Sequence, residues 1–118
     1  MTMLPAGVKV HLAVGYIDMR KGMDGLAMLV QGVLHQDPFS GHLFVFRGRH
    51  KANLVKIVYW DGSGFCLFTK RLDQGVFLWP PSVETGKTLS LTSAQLSSLI
   101  DGVDWRAPEE RWRPAMAG

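Results

Sequence analysis

PFSGHLFVFRGRHKANLVKIVYWDGSGFCLFTKRL, Pro38 to Leu72, is the stretch that decides the fold. It holds three apolar runs, Leu43 to Phe46, Leu54 to Trp60 and Phe65 to Phe68, each of strand length and rich in Val, Ile, Phe, Tyr and Trp. Arg47-Gly48-Arg49-His50-Lys51-Ala52-Asn53 joins the first two runs. Asp61-Gly62-Ser63-Gly64, a turn signal tolerant of positive φ, joins the last two. Parallel strands need a crossover of a dozen or more residues, so connections this short predict an antiparallel three-stranded meander.

Working outward, Val8, Val10, Leu12 and Val14 alternate with Lys9, His11 and Ala13, which predicts a half-buried first strand. A helix is expected from Asp18, as N-cap, to about Gln36, with Met23, Leu26, Ala27, Leu29, Val30, Val33 and Leu34 on its apolar stripe and Asp37-Pro38 ending it. Leu43 to Phe46 is apolar on both phases and needs cover on both faces. The preceding helix is one cover, and the C-terminal helix or a partner chain is the other. Beyond the meander, Leu72-Asp73-Gln74-Gly75 reads as a turn and Val76 to Trp79 as a fourth sheet strand stopped by Pro80-Pro81. Thr88 to Leu91 reads as a short edge strand. Thr92-Ser93-Ala94-Gln95 carries the capping-box pattern and opens a helix ending near Asp101-Gly102.

The expected fold is α+β, a mostly antiparallel sheet of about five strands with two helices packed on it. It forms a single domain over residues 1–118, with an irregular tail from about residue 103. A 47% hydrophobic and 19% charged composition suits a globular core and excludes a disordered chain. The lone Cys66 sits in an apolar run and reads as a buried structural thiol. Met1 to Gly7 lacks a signal-peptide layout and no apolar run reaches spanning length, so a cytoplasmic protein without a membrane association is expected.

Charge is unevenly spread. His42 to Leu72 holds six basic residues, Arg47, Arg49, Lys51, Lys56, Lys70 and Arg71, against Asp61, while the whole chain carries only +3. A polyanion would bind there, through Arg47, Arg49, His50 and Lys51 on the connection and Lys56, Lys70 and Arg71 on neighbouring strands. Arg20 and Lys21 at the expected helix start either join them on a phosphate or form a solvated pair beside Asp18 and Asp24. Trp105 and Trp112 either pin the tail to the body or anchor a partner. Catalysis finds no constellation: there is no phosphate-cradling glycine loop, no paired cysteines and no His pair on one helical face. Asp18, Asp24 and Asp61 each have a structural task, which argues against a metal-dependent nuclease. His11 has no ligand-spaced neighbour, so neither a metal site nor a cofactor is expected.

Several strings match one known family: Leu4-Pro5-Ala6-Gly7-Val8, Ile17-Asp18-Met19-Arg20-Lys21-Gly22, Asp37 to Phe46 (DPFSGHLFVF) and Tyr59 to Phe68 (YWDGSGFCLF). Lys70-Arg71-Leu72, Trp79-Pro80 and Gly102-Val103-Asp104-Trp105 match it too. Together they resemble the small TnpB-type accessory protein of bacterial insertion sequences related to insertion sequence 66, which is unrelated to the RNA-guided nuclease sharing that label. The resemblance covers essentially the whole chain. It implies a non-enzymatic part in transposition beside a separately encoded transposase, and it brings no catalytic residues. Two readings stand. One is a DNA-binding accessory factor on the element ends, and the other is a protein–protein adaptor that assembles the transposase complex. In either, the chain acts beside the transposase and other element-encoded proteins, with a homo-oligomer open.

Overall fold

A helix between the first two strands sets the topology. In the computed structural model, which describes residues 6–106, strand β1 (Val10–Tyr16) leads into helix α1 (Met23–Gly32) and then β2 (Leu43–Arg47). The crossover makes β1 and β2 parallel. Strands β3 (Leu54–Trp60) and β4 (Phe65–Arg71) follow as the expected antiparallel meander, and β5 (Thr88–Leu91) returns to pair antiparallel with β1. Helix α2 (Ser93–Ile100) comes last. The sheet has five strands in the order β4-β3-β2-β1-β5, so every pair but one is antiparallel.

Both phases of β2 are buried, as its composition requires. Leu43 and Val45 pack with Val10, Leu12, Val55, Ile57, Phe77 and the α2 residues Leu96, Leu99 and Ile100. Phe44 and Phe46 pack with Val58 and the α1 residues Leu26 and Val30. Each helix therefore covers one face, and a partner chain is not needed for β2. The α2 cap and the β3–β4 turn behave as the sequence predicts. Thr92 Oγ1 accepts from the Gln95 N–H while Gln95 Oε1 accepts from the Thr92 N–H, which completes the capping box. Asp61 Oδ1 accepts the N–H groups of Ser63 and Gly64 and closes the β3–β4 turn.

Four expectations are corrected. Helix α1 starts at Met23, with Gly22 as an N-cap that offers no side-chain acceptor, and not at Asp18. The Asp18 carboxylate is instead taken by Arg20, which donates to it from its backbone N–H, Nε and Nη2. The helix also stops early, at Gly32, where His35 enters the left-handed region (φ 53°) and the Gln36 N–H reaches back to Val30 O. Val76 to Trp79 is not a strand. It crosses the α2 face, burying Phe77 and hanging the Phe77 N–H and Trp79 Nε1–H on Ala52 O, so Phe77, Leu78 and Trp79 cover the sheet and do not extend it. Cys66 is only half-buried because β4 is the outermost strand, and its Sγ lies 3.5 Å from Asp61 Oδ2.

Trp105 takes the first of its two expected roles. Its indole is buried in the α2-side core and donates to Leu78 O at 2.6 Å, so it pins the segment after α2 and is not an exposed partner anchor. Trp112 lies outside the described residues. Among the described residues no helix is long and apolar enough to cross a membrane.

Candidate nucleic-acid interface

The parallel β1–β2 pair sends two connections out of the same end of the sheet. The segment after β1 carries Ile17, Asp18, Met19, Arg20 and Lys21, and the segment after β2 carries Gly48, Arg49, His50 and Lys51. The Ile17 N–H bonds Arg47 O at 3.0 Å and keeps the two together past the last strand pair. Gly48 is where they touch: a Cβ there would stand 2.5 Å from Met19 Cγ, so any larger residue would have to push the Met19 side chain aside.

Between the segments lies a cleft of about 250 Å³ lined by Ile17, Asp18, Met19, Arg20, Gly48, Arg49, His50, Lys51 and Leu54. Ile17, Met19 and Leu54 make an apolar floor beneath a basic rim. Lys56 adjoins it, donating from Nζ to Lys21 O at 2.9 Å. Arg71 pairs directly with Leu54 across β3–β4, and residues directly opposite present their side chains to the same face. Arg20, Lys21, Arg49, Lys51 and Arg71 are all exposed. The carboxylate lining the cleft, Asp18, is held well below its ordinary pKa by the Arg20 side-chain hydrogen bonds and stays ionised.

Two nominated cations lie elsewhere, and the register explains both. Arg47 has the phase of Leu43 and Val45, so its side chain turns to the α2 side. It is 6% exposed there, not solvent-facing as expected. Its Nη1 donates to Pro80 O (2.9 Å), Ser82 O (3.3 Å) and Val14 O (3.5 Å), and its guanidinium lies 4.7 Å from the Tyr16 ring and 5.6 Å from that of Trp79. Burial pushes its pKa down, with the Tyr16 phenol working in the opposite direction. Lys70 pairs with Val55 on the α2 face and donates from Nζ to Ile100 O at 2.8 Å, supplying positive charge at the C-terminal end of α2. The expected single stripe therefore splits. Arg49, His50, Lys51, Lys56 and Arg71 gather with Arg20 and Lys21, while Arg47 and Lys70 are structural.

The sequence reading missed the apolar floor and the Tyr16 ring, which stands 4.7 Å from the Arg47 and 5.3 Å from the Arg49 guanidinium carbon. The usable signal was the helix between the first two strands, since a crossover makes parallel neighbours whose following loops share an end.

The family model described as IS66 Orf2 like protein matches residues 8–110. The chain belongs to the IS66 Orf2-like family. Membership implies an accessory and generally non-catalytic role in transposition of IS66-type elements. Among its relatives, uncharacterized protein y4hO of Sinorhizobium fredii (strain NBRC 101917 / NGR234) is 51% identical over 98% of this chain and 100% of its own length. Uncharacterized protein y4jC of the same strain is 40% identical over 84% of this chain and 82% of its own. No solved structure matches.

Proposed function

We propose that this IS66 Orf2-like protein binds element DNA through the cleft between residues 17–21 and 48–51, acting in the cytoplasm beside a separate transposase. The observation that carries the proposal is the convergence of Arg20, Arg49, His50 and Lys51 on one cleft, with Lys21, Lys56 and Arg71 at its margin. Flexible cations around an open cleft engage phosphates and carry little base information, so binding is sequence-tolerant and depends steeply on salt. Arg20 serves double duty, holding Asp18 while presenting its exposed guanidinium.

Fluorescence anisotropy on duplex DNA at varied salt tests this. Replacing Arg20, Arg49 and Lys51 together by Ala is expected to shallow the slope of log affinity against log salt by roughly two to three units, about one per lost phosphate contact. No binding at low salt, or a triple variant that binds like the parent, overturns it. The adaptor reading loses two of its supports, since β2 and Trp105 are internal. Co-purification with the transposase that survives loss of DNA binding in the triple variant would favour it instead.

A further inference from the structure

Strand β4 ends the sheet on one side, and its seven residues make it nearly twice as long as the four-residue β5 that ends the other. A long edge strand presents a row of unpaired N–H and C=O groups to any matching chain. The hydrogen bonds at its two ends show which groups these are. The Leu72 N–H donates to Asn53 O, and Gly64 O accepts from the Asp61 N–H, so residues 64 and 72 direct their backbones toward β3. The β3–β4 register runs without a shift between them. Phe65, Leu67, Thr69 and Arg71 therefore aim N–H and C=O outward. Among the described residues no backbone bond reaches that edge.

The surface beside this edge is apolar at one end. Phe39, Trp60 and Phe65 stand with ring centroids 5.1 Å apart in all three pairs. Phe39 is 57% and Met28 72% exposed, and both line a groove of about 220 Å³ with Ala27, Gln31, Pro38, Phe65 and Asp24. Asp24 and Asp61 make this end acidic. The opposite end of the same strand is Lys70-Arg71.

We infer that β4 is a self-association edge, and that a second copy of this chain pairs with it antiparallel about a two-fold axis through Phe68. That register uses all of β4. It sets Phe65 opposite Arg71 and Leu67 opposite Thr69, all four outward-facing, so each opposed pair exchanges backbone hydrogen bonds. It also lays the Arg71 of one copy over the Phe39-Trp60-Phe65 rings and beside the Asp24 of the other, where a cation meets both π faces and a carboxylate. Lys70 comes opposite Cys66, whose thiol touches Asp61. An edge with carboxylates beside one end and Arg71 at the other complements itself only when reversed, which is the condition for an isologous dimer. Two sheets so joined present both α1 faces on one side.

Light scattering on the purified chain at tens of micromolar is expected to give a dimer. Thr69→Pro removes an N–H that points outward and costs the monomer no ladder bond. It is expected to weaken self-association at least tenfold with unchanged circular dichroism. Phe68 opposes its own copy in a non-hydrogen-bonded pair, with Cα atoms about 4.5 Å apart, inside the disulfide span of roughly 4.4–6.8 Å. Phe68→Cys in a Cys66→Ser background should therefore crosslink under mild oxidation, and Leu67→Cys in that background should not. A monomeric parent leaves the edge to a different chain and overturns the inference, as does a folded Thr69→Pro dimer or crosslinking at 67 in preference to 68. If the proline variant does not fold, the crosslinking pair decides. None of these readouts involves DNA, so the outcome is independent of the proposed function.

Discussion

The two faces of the sheet spend their basic residues differently. On the α2 side, cations are consumed by the fold: Arg47 clamps the carbonyls of Val14, Pro80 and Ser82, and Lys70 holds the end of α2. Among the described residues, the indole N–H groups of that side, Trp79 and Trp105, are likewise satisfied by backbone carbonyls. On the α1 side, Arg20, Arg49 and Lys51 line a cleft, with Lys21 at its margin, and all four stay exposed. A run of basic residues is thus not one site. Arg47 and Arg49 are two residues apart and both lie against the Tyr16 ring, yet the first is buried on backbone carbonyls and the second is exposed, because the strand ends between them and alternation no longer governs the second.

The largest effect is expected from breaking the closed face. Trp105→Ala removes a buried indole and strands Leu78 O, and should destabilise the fold by about 3–5 kcal/mol in urea unfolding. A loss below about 1 kcal/mol would mean that the segment after α2 is not pinned.

A sharper contrast comes from the neighbouring arginines. Arg47→Ala should cost about 2–3 kcal/mol of stability, since it leaves buried carbonyls without a donor. Arg49→Ala should stay within about 0.5 kcal/mol of the parent and weaken DNA binding instead. Denaturation and anisotropy on both variants would dissolve the distinction between faces if the two behaved alike.

The smallest effect is expected with pH. His11 is buried beside Phe44, with its Nε2 3.5 Å from His42 Nδ1. Burial holds its pKa below the ordinary imidazole value, and His42 and Lys9 add to the shift. The unfolded chain therefore binds the proton more readily. Stability should decline as pH falls from about 6.5 toward the lower folded value, and level off beneath it. His11→Gln should flatten the stability profile in that window. Asp18 and Asp61, whose pKa values are lowered, contribute their own loss only further into acid.

Where local chemistry decides, the sequence was readable. The Thr92–Gln95 box, the Asp61 turn and the meander each follow from residues a few positions apart. Val76 to Trp79 misled because an apolar stretch that lies across a sheet has the composition of a strand within one. The start of α1 misled because Asp18 has two suitors, the helix N–H groups and the Arg20 side chain, and the guanidinium fork wins. Half of the candidate site was legible as residue types: Arg20 and Lys21 in one loop, Arg49 to Lys51 in another. Their meeting depends on the parallel β1–β2 pair and on Gly48 against Met19, which are tertiary facts.

The pairing of β1 with β5 also sets the order in which the chain can be completed. Val10 is bonded in register with Leu91, whereas β2, β3 and β4 meet through short connections. As the chain leaves the ribosome, the meander and α1 can assemble early by closing small loops. Until residues 88–100 emerge, β1 has no outer neighbour and the face awaiting α2 stays open. Between the completion of β4 at Arg71 and the arrival of β5 and α2, the nascent protein thus carries an exposed sheet edge and a partly bare apolar surface, the interval in which aggregation competes with folding.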